Sequence, residues 1–358
     1  MTRRRPAVPG RGRHPTVVIA AGFGSAVLIG TLLLGTPLAT AEGDSSHWLT
    51  ALFTATSAVC VTGLVVVDTG THWSVFGEVV IVLLIQAGGL GIMTLATLIM
   101  VIVAHRIGLR ARLSAQLETK SVVAADLRTW RYPWRWSVLT RITVGLSALL
   151  LGVGTLAFLM TEWRNPGTMG PLDDSGKLLA AFFAAVMPRS GGFNTLDISQ
   201  MYPSSWLVTD VLMFIGGGSA GTAGGIKVTT FGFLLFIIWS ELRGEHQVNI
   251  GHRRLPSATQ RQALSIGLLG IILVTLSTWL LLIMTPHGLD QVLFEVISAF
   301  ATNGLSTGIT ADTSLAGHVL LSVLMYIGRI GPLTLGSALA LKQRTRRYEL
   351  PEEQVILG

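Results

Sequence analysis

Three short strings decide the fold: Cys60-Val61-Thr62-Gly63-Leu64, Arg189-Ser190-Gly191-Gly192-Phe193 and Ala301-Thr302-Asn303-Gly304-Leu305. Each of these glycine strings follows an apolar stretch that is too short to cross a bilayer. The three stretches are His47–Val59, Lys177–Met187 and Gln291–Ala301. In every string a hydrophobic residue comes directly after the last glycine. The recurrence of one pattern indicates a repeated structural unit.

The composition around the strings is that of a polytopic membrane protein. Of the 358 residues, 50% are hydrophobic and only 13% are charged, against roughly 25% charged in soluble domains. The single cysteine, Cys60, excludes an internal disulfide framework and a cysteine-cluster metal site. The net charge of +7 fits basic cytoplasmic loops better than a nucleic-acid ligand.

Six charge-poor runs are long enough to span a membrane, two of them interrupted by a basic residue. They are Thr16–Thr40, Val79–Ala104, Ile142–Thr161, Val211–Ser240 (interrupted at Lys227), Ala263–Thr285 and Leu315–Leu341 (interrupted at Arg329). Arginine and lysine concentrate in the N-terminal arm, Arg106–Arg141, Arg243–Arg261 and Lys342–Arg347, whereas the intervening connections are acidic. Because basic loops stay inside, both termini are predicted to be cytoplasmic.

The unit of span, short helix, glycine string and span therefore occurs three times. The short helices either rest on the membrane surface or re-enter the membrane, and recurrence at the same place favours re-entry. Irregular backbone at membrane depth is tolerated where it is buried or lines a cavity. Glycine lets the backbone turn its carbonyl oxygens inward, and rings of carbonyls replace the hydration shell of a cation. The negative C-terminal ends of the short helices favour the same charge.

These residues resemble the Trk, Ktr and HKT superfamily of potassium-translocating subunits, most closely its bacterial KtrB/TrkH type. The resemblance rests on Ser57–Leu64, Pro188–Thr195, Gly216–Lys227 and Ala301–Thr310. It implies an all-α polytopic membrane protein, with repeated helix–pore loop–helix units around a pseudo-symmetric pore. It also implies that the potassium filter is formed by Val61, Thr62, Gly63, Ser190, Gly191, Gly192, Thr302, Asn303 and Gly304. The degenerate filter leaves sodium permeation open alongside potassium.

A glycine-rich segment, Gly216–Lys227, interrupts the fourth span. Nucleotide binding fits poorly, because Ile226 separates Gly225 from Lys227 where a phosphate-binding loop needs them adjacent. The remaining alternatives are close helix packing through small residues and a flexible intramembrane loop that gates the path. The resemblance favours the gate, which involves Gly216, Gly217, Gly218, Ser219, Gly221, Thr222, Gly224, Gly225 and Lys227.

Charged residues near the membrane interior have their own interpretations. Arg329 lies in the middle of the last span, where it either forms a salt bridge or, as the resemblance favours, stands below the filter as an electrostatic barrier. Arg189 is assigned a scaffold role beside the conduction path. Asp210 and Glu295 lie near predicted span ends and are interpreted as packing or vestibule groups.

The family builds its pore from four units, and the sequence contains three. Gly63 to Gly192 is about 129 positions and Gly192 to Gly304 about 112, so neither interval has room for another unit. The second unit would fall within Ala125–Trp136. A natural deletion, an incomplete gene model and completion by a neighbouring subunit all stay open. The predicted segments are an N-terminal arm (1–15), a first repeat (16–105), a basic loop (106–137), a repeat with the gating loop (138–242), a cytoplasmic loop (243–261), a last repeat (262–343) and a tail (344–358).

The leading hypothesis is channel-like potassium uptake across the bacterial cytoplasmic membrane. The resemblance adds a homodimer and a cytosolic nucleotide-binding regulatory subunit of the TrkA/KtrA type. Membrane lipid is an expected partner, whereas no nucleic acid and no resident cofactor are expected. The first alternative is a nonconducting or incomplete subunit that acts as a scaffold. A membrane enzyme is disfavoured, because no H-E-x-x-H or G-x-S-x-G element occurs in a matching context.

Overall fold

The computed structural model describes residues 15–89, 138–189, 191–218, 223–245, 247–250 and 253–341. The predicted basic loop (106–137), the tail (344–358) and nearly all of the N-terminal arm lie outside the described residues. The described chain is helical, as predicted, apart from one small hairpin.

The helices fall into three units in chain order. The first unit contains α1 (Pro15–Leu34), α2 (Trp48–Val59), the single turn α3 (Thr69–His72) and α4 (Val75–Gly89). The middle unit contains α5 (Val138–Glu162), α6 (Asp174–Val186), α7 (Pro203–Ile215) and α8 (Val228–Leu242). The last unit contains α9 (Ser257–Met284), α10 (Leu289–Ala301) and α11 (Leu315–Leu341). Three-residue 3₁₀ turns lie at Pro37–Ala39, Met187–Arg189 and Ile198–Gln200.

The three predicted short helices are confirmed as α2, α6 and α10, which contain 12, 13 and 13 residues. At about 1.5 Å of rise per residue each is only about 20 Å long, too short to cross the hydrocarbon layer. We call them the half-helices. Every residue of α10 from Phe294 to Ala301 is buried, so this helix forms the centre of the described structure. It packs against α7, α9 and α11, and α11 in turn packs against α2.

Two described helices, α5 and α9, are long and apolar enough to cross a membrane by length and composition. Their outward side chains are large and apolar, for example Leu149, Met160, Leu268 and Trp279, which are all exposed. Such faces match a hydrocarbon surrounding rather than water. Shorter apolar helices, α4, α7 and α8 among them, complete the set.

For the fourth span, the predicted start was wrong, whereas the predicted interruption is present. The span begins at Pro203 rather than at Val211, and Asp210 lies inside α7. The charge-free criterion excluded this turn, but Asp210 is buried within the protein. The chain then leaves the helix at Gly216 and re-enters one at Val228.

Other span boundaries also shift. The first span ends at Leu34, not Thr40, because Gly35 is followed by a Thr36-Pro37 step that disfavours helical geometry. The helix predicted to begin at Ala263 begins at Ser257, just after Pro256. The loop before it carries a two-stranded antiparallel hairpin, β1 (Asn249–Ile250) and β2 (Arg253–Arg254).

Candidate functional site

The first and last glycine strings adopt the same turn at the C-terminal ends of their half-helices. Val61 and Thr302 take the left-handed conformation, with φ of 53° and 50°. Two residues later, Gly63 and Gly304 both have a φ of 93°, which a side chain would strain. The two units are therefore alike in backbone geometry as well as in sequence.

A buried serine in each of these half-helices holds the turn from behind. The Gly63 N–H donates to Ser57 Oγ at 3.1 Å, and the Gly304 N–H donates to Ser298 Oγ at 3.2 Å, six residues apart in both cases. Ser57 Oγ also donates to the Leu64 carbonyl oxygen at 2.7 Å. We call this arrangement the serine clasp. It fixes the string glycine to the last turn of the half-helix.

The backbone hydrogen bonds around the clasp repeat as well. The Thr62 N–H donates to the Ser57 carbonyl oxygen at 2.8 Å, and the Asn303 N–H donates to the Ser298 carbonyl oxygen at 3.0 Å. The serine thus anchors two successive string residues, one through its backbone and one through its side chain.

The middle string is built differently. Val186 stands six residues before Gly192 and has no hydroxyl. A 3₁₀ turn ends the half-helix, and the Gly191 N–H donates to the Met187 carbonyl oxygen at 3.0 Å. Gly192 has a φ of 66°. Ser190, a predicted filter residue, lies outside the described residues.

Arg189, immediately before this string, donates from Nη2 to the Ser147 carbonyl oxygen of α5 at 2.7 Å. The contact ties the end of the middle half-helix to the neighbouring span. This geometry fits the predicted scaffold role.

The three strings come together at one place. A Cβ added to Gly304 would overlap the Thr62 carbonyl oxygen and stand 3.1 Å from the Gly63 Cα. A Cβ added to Gly192 would overlap the Asn303 carbonyl oxygen. The last string therefore lies between the first and the middle ones, and only glycine permits this approach. The strings pack directly against one another.

Buried polar atoms at this junction have no hydrogen-bond partner among the described residues. They are Thr62 Oγ1 and both amide atoms of Asn303. Buried polar groups are normally satisfied by protein or by ligand. Two of these three atoms are oxygens, and oxygen is the ligand atom that binds monovalent cations.

In the last unit a buried carboxylate fixes the segment that follows the string. Glu295 is fully buried in α10, and its Oε1 accepts the Thr307 N–H at 3.0 Å and the Ser306 hydroxyl. Its Oε2 accepts the Thr310 hydroxyl at 2.8 Å. Glu295 lies within the half-helix rather than at a span end, and its packing role is a specific one.

The glycine-rich segment between α7 and α8 contacts the last string. The Gly224 N–H donates to the Ala301 carbonyl oxygen at 3.0 Å and to Thr302 Oγ1 at 3.0 Å. Lys227 has a φ of 75°, and its Nζ donates to the Ala223 carbonyl oxygen at 2.5 Å. Gly216, Gly217, Gly218 and Gly225 are described, whereas Ser219, Gly221 and Thr222 lie outside the described residues.

Arg329 is buried inside α11, which continues through it without a break. Its Nη2 lies 3.4 Å from the Gly88 carbonyl oxygen of α4. A Cβ at Gly88 would overlap the Val59 carbonyl oxygen, and a Cβ at Gly328 would overlap that of Phe300. Each of these two spans therefore uses a glycine to pass the C-terminal end of its own half-helix.

Sequence reasoning missed the two clasp serines, the Glu295 anchor and this pair of span glycines. A signal existed for the serines, because Ser57 and Ser298 stand at the same position when the two strings are aligned on their glycines. The contact between Gly224 and Thr302 had no such signal, since the two residues are 78 positions apart.

One cavity lies away from the strings. It is a groove of about 700 Å³ between α5 and α8, lined mainly by apolar side chains such as Leu146, Leu149 and Phe236. Such a lining suits a lipid chain better than an ion. Across the described residues, no group of three or more His, Cys, Asp or Glu side chains is placed to hold a metal ion.

The chain is similar to known cation transport proteins. The family model of TrkH, described as cation transport protein, matches residues 1–129 and 131–345. The Ktr system potassium uptake protein B of Bacillus subtilis (strain 168) is 32% identical over 434 aligned positions, which cover 96% of this chain and 97% of the relative. That alignment is longer than this chain, so it contains positions that only the relative fills.

One further relative and one solved structure are also similar to this chain. The potassium/sodium uptake protein NtpJ of Enterococcus hirae is 30% identical, with 96% of this chain and 97% of that protein covered. The crystal structure of the potassium transporter TrkH from Vibrio parahaemolyticus has the same fold, with a TM-score of 0.69 at 16% identity over 96% of this chain and 87% of that one.

The family match spans almost the whole chain and includes all three glycine strings. It confirms the predicted superfamily and the helical membrane fold, and it excludes an enzyme. This chain belongs to the TrkH family of cation transport proteins.

Proposed function

We propose that this chain mediates potassium uptake across the bacterial cytoplasmic membrane, with the three glycine strings as the ion-selective part of the path. One observation carries the proposal: three glycine turns, two of them closely alike, meet at one place within a cation transport fold. Backbone carbonyls at such a junction can replace the water around a dehydrated monovalent cation. The relatives that carry potassium in their names support the choice of ion.

The filter residues proposed are those of the three strings. The C-terminal ends of the half-helices place partial negative charge beside them. The unpartnered oxygens of Thr62 and Asn303 add candidate ligands in the same region. Sodium is proposed as a second ion, since the E. hirae relative is named for both. The ion is the substrate, and we propose no resident cofactor.

The segment from Gly216 to Lys227 is proposed as the gate. Its hydrogen bonds to Ala301 and Thr302 hold it against the base of the last string. Glycine supplies the conformational freedom that withdrawal requires. Arg329 is proposed as an electrostatic barrier on the same path, with its guanidinium held near the Gly88 carbonyl.

The arrangement in the cell is proposed from sequence. Alternating basic and acidic connections put both termini in the cytoplasm. A homodimer that carries a cytosolic nucleotide-binding regulatory subunit, surrounded by lipid, is the assembly that the superfamily resemblance suggests.

Potassium-dependent growth of an uptake-deficient bacterium tests the proposal. Gly192→Asp should abolish rescue, because the new side chain would overlap the Asn303 carbonyl oxygen and place a carboxylate among the strings. Gly43→Asp is the matched control: Gly43 also has a positive φ, 78°, but lies in open space. Unchanged rescue by Gly192→Asp, at equal expression, would remove the strings from the ion path.

A nonconducting or incomplete subunit is the second candidate. The observation that favours it is the direct packing of the strings, with Gly304 against the Thr62 carbonyl oxygen. Flux into liposomes that contain the purified chain alone would exclude this second candidate, since an incomplete subunit would give none.

A further inference from the structure

One half-helix is exposed on a face that is buried in the other two. Phe53, Phe182 and Phe294 occupy equivalent positions, since each lies ten residues before the string glycine of its own unit. That separation is roughly three helical turns. Phe53 and Phe294 are 1% and 0% exposed, whereas Phe182 of the middle unit is 47% exposed. The same residue type at the same position thus lacks its cover in one unit only.

The hydrophobic residue after each string glycine repeats this difference. Leu64 and Leu305 are 1% and 5% exposed, whereas Phe193 is 73% exposed. Leu179, on the middle half-helix, is exposed as well. Leu179, Phe182 and Phe193 define what we call the open face of the middle unit.

The cover of the two buried faces follows a rule of order. Phe53 of the first unit packs against the His318 ring of the last unit, with ring centroids 5.5 Å apart. Phe294 of the last unit lines a small cavity with Phe158 and Thr209 of the middle unit. Each of these two half-helices is therefore covered by the unit that precedes it around the ring. By the same rule, the open face should meet a unit that stands between the first and the middle ones.

Relatives carry additional sequence, and the family match divides at this place in the chain. The match is divided at residue 130, between the first and middle units. The alignment with the B. subtilis protein includes positions absent from this chain while covering 97% of that relative. The open face lies on the unit that directly follows this division of the match.

We propose that the open face docks a helix–half-helix–helix unit contributed by a separate membrane polypeptide, which closes the ring of glycine strings. The occupant is a unit of the same kind, because the two equivalent faces are filled by such units. Lipid alone would leave the string glycines uncovered on this side, where Gly191 is exposed. That the closed ring then conducts potassium rests on the proposed function; the docking itself does not.

Photo-crosslinking in membranes tests the docking. Phe182 or Phe193 is replaced by p-benzoylphenylalanine in the full chain, and an epitope-tagged polypeptide is co-expressed that comprises the stretch of the B. subtilis relative without a counterpart here. Irradiation should give an adduct between the two polypeptides. The same probe at Phe53 or Phe294, the matched buried positions, should give none.

The outcomes separate docking from conduction. No adduct from positions 182 and 193 while the tagged unit is present in the membrane, or an adduct only with a second copy of this chain, overturns the docking. Should the separate unit be degraded, the same stretch is inserted between residues 129 and 131, and a crosslink within the chain from position 193 is then required. An adduct without potassium uptake by the closed ring refutes the proposed function alone and leaves the docking standing.

Discussion

Replacing Ser298 by alanine removes the hydrogen-bond acceptor behind the last glycine string. Ser298 is fully buried, and its Oγ accepts the Gly304 N–H at 3.2 Å. A buried donor left without a partner costs about 1–3 kcal/mol. The turn at Gly304, with a φ of 93°, would relax to reduce that cost, and its carbonyls would lose their fixed direction. We expect the preference for potassium over sodium to fall about 5–30-fold, which corresponds to about 1–2 kcal/mol.

Two further variants serve as comparisons for Ser298→Ala. Ser57→Ala should have at least as large an effect, because Ser57 also donates to the Leu64 carbonyl oxygen at 2.7 Å. Val186→Ala removes carbon atoms at the equivalent position of the middle unit but breaks no clasp. Its effect on ion preference should stay within about twofold, the scale of substitutions that break no specific interaction.

The assay is flux of potassium and of sodium into vesicles, with each variant in the assembly in which the unaltered chain supports uptake. Equal amounts of protein are compared, so that the ratio of the two fluxes reports ion preference rather than expression. An unchanged ratio in Ser298→Ala, or an equal fall in Val186→Ala, would refute the role of the clasp.

Gly224→Ala places a methyl carbon 2.8 Å from the Ala301 carbonyl oxygen and 2.9 Å from Thr302 Oγ1. The glycine-rich segment should therefore withdraw from the last string, and basal ion flux should rise. Gly218→Ala is the control, because its added carbon would have its nearest neighbour at 3.4 Å, and it should leave flux unchanged. A fall in flux for Gly224→Ala would argue against a gate that closes by this contact. Glu295→Gln should lower the free energy of unfolding by about 1–3 kcal/mol, since one buried donor loses its carboxyl oxygen acceptor. An unaltered midpoint of thermal unfolding in detergent would show that the anchor is dispensable.

The half-helices and the glycine strings could be predicted from sequence because their signals are local. Apolar stretches too short to span a membrane predicted α2, α6 and α10, and glycine at a fixed place after each predicted a turn. The predicted span boundaries were wrong where a charged residue was assumed to lie in water. Asp210 lies buried within a helix, which a charge-free criterion cannot foresee.

The contacts that shape the site depend on tertiary structure. Thr302 meets Gly224 only because the last and middle units pack together. The exposure of Phe193 could not be predicted either, since its sequence context is that of the buried Leu64 and Leu305. A repeated sequence specifies equivalent faces, but whether a face is covered depends on which neighbours the assembly provides.

Anomalous diffraction from the protein with thallium in place of potassium tests the central claim most directly. The account predicts a thallium peak where the three strings meet, in contact with backbone carbonyl oxygens beside Gly63, Gly192 and Gly304. A peak elsewhere in the membrane region, with none at the strings, would contradict it.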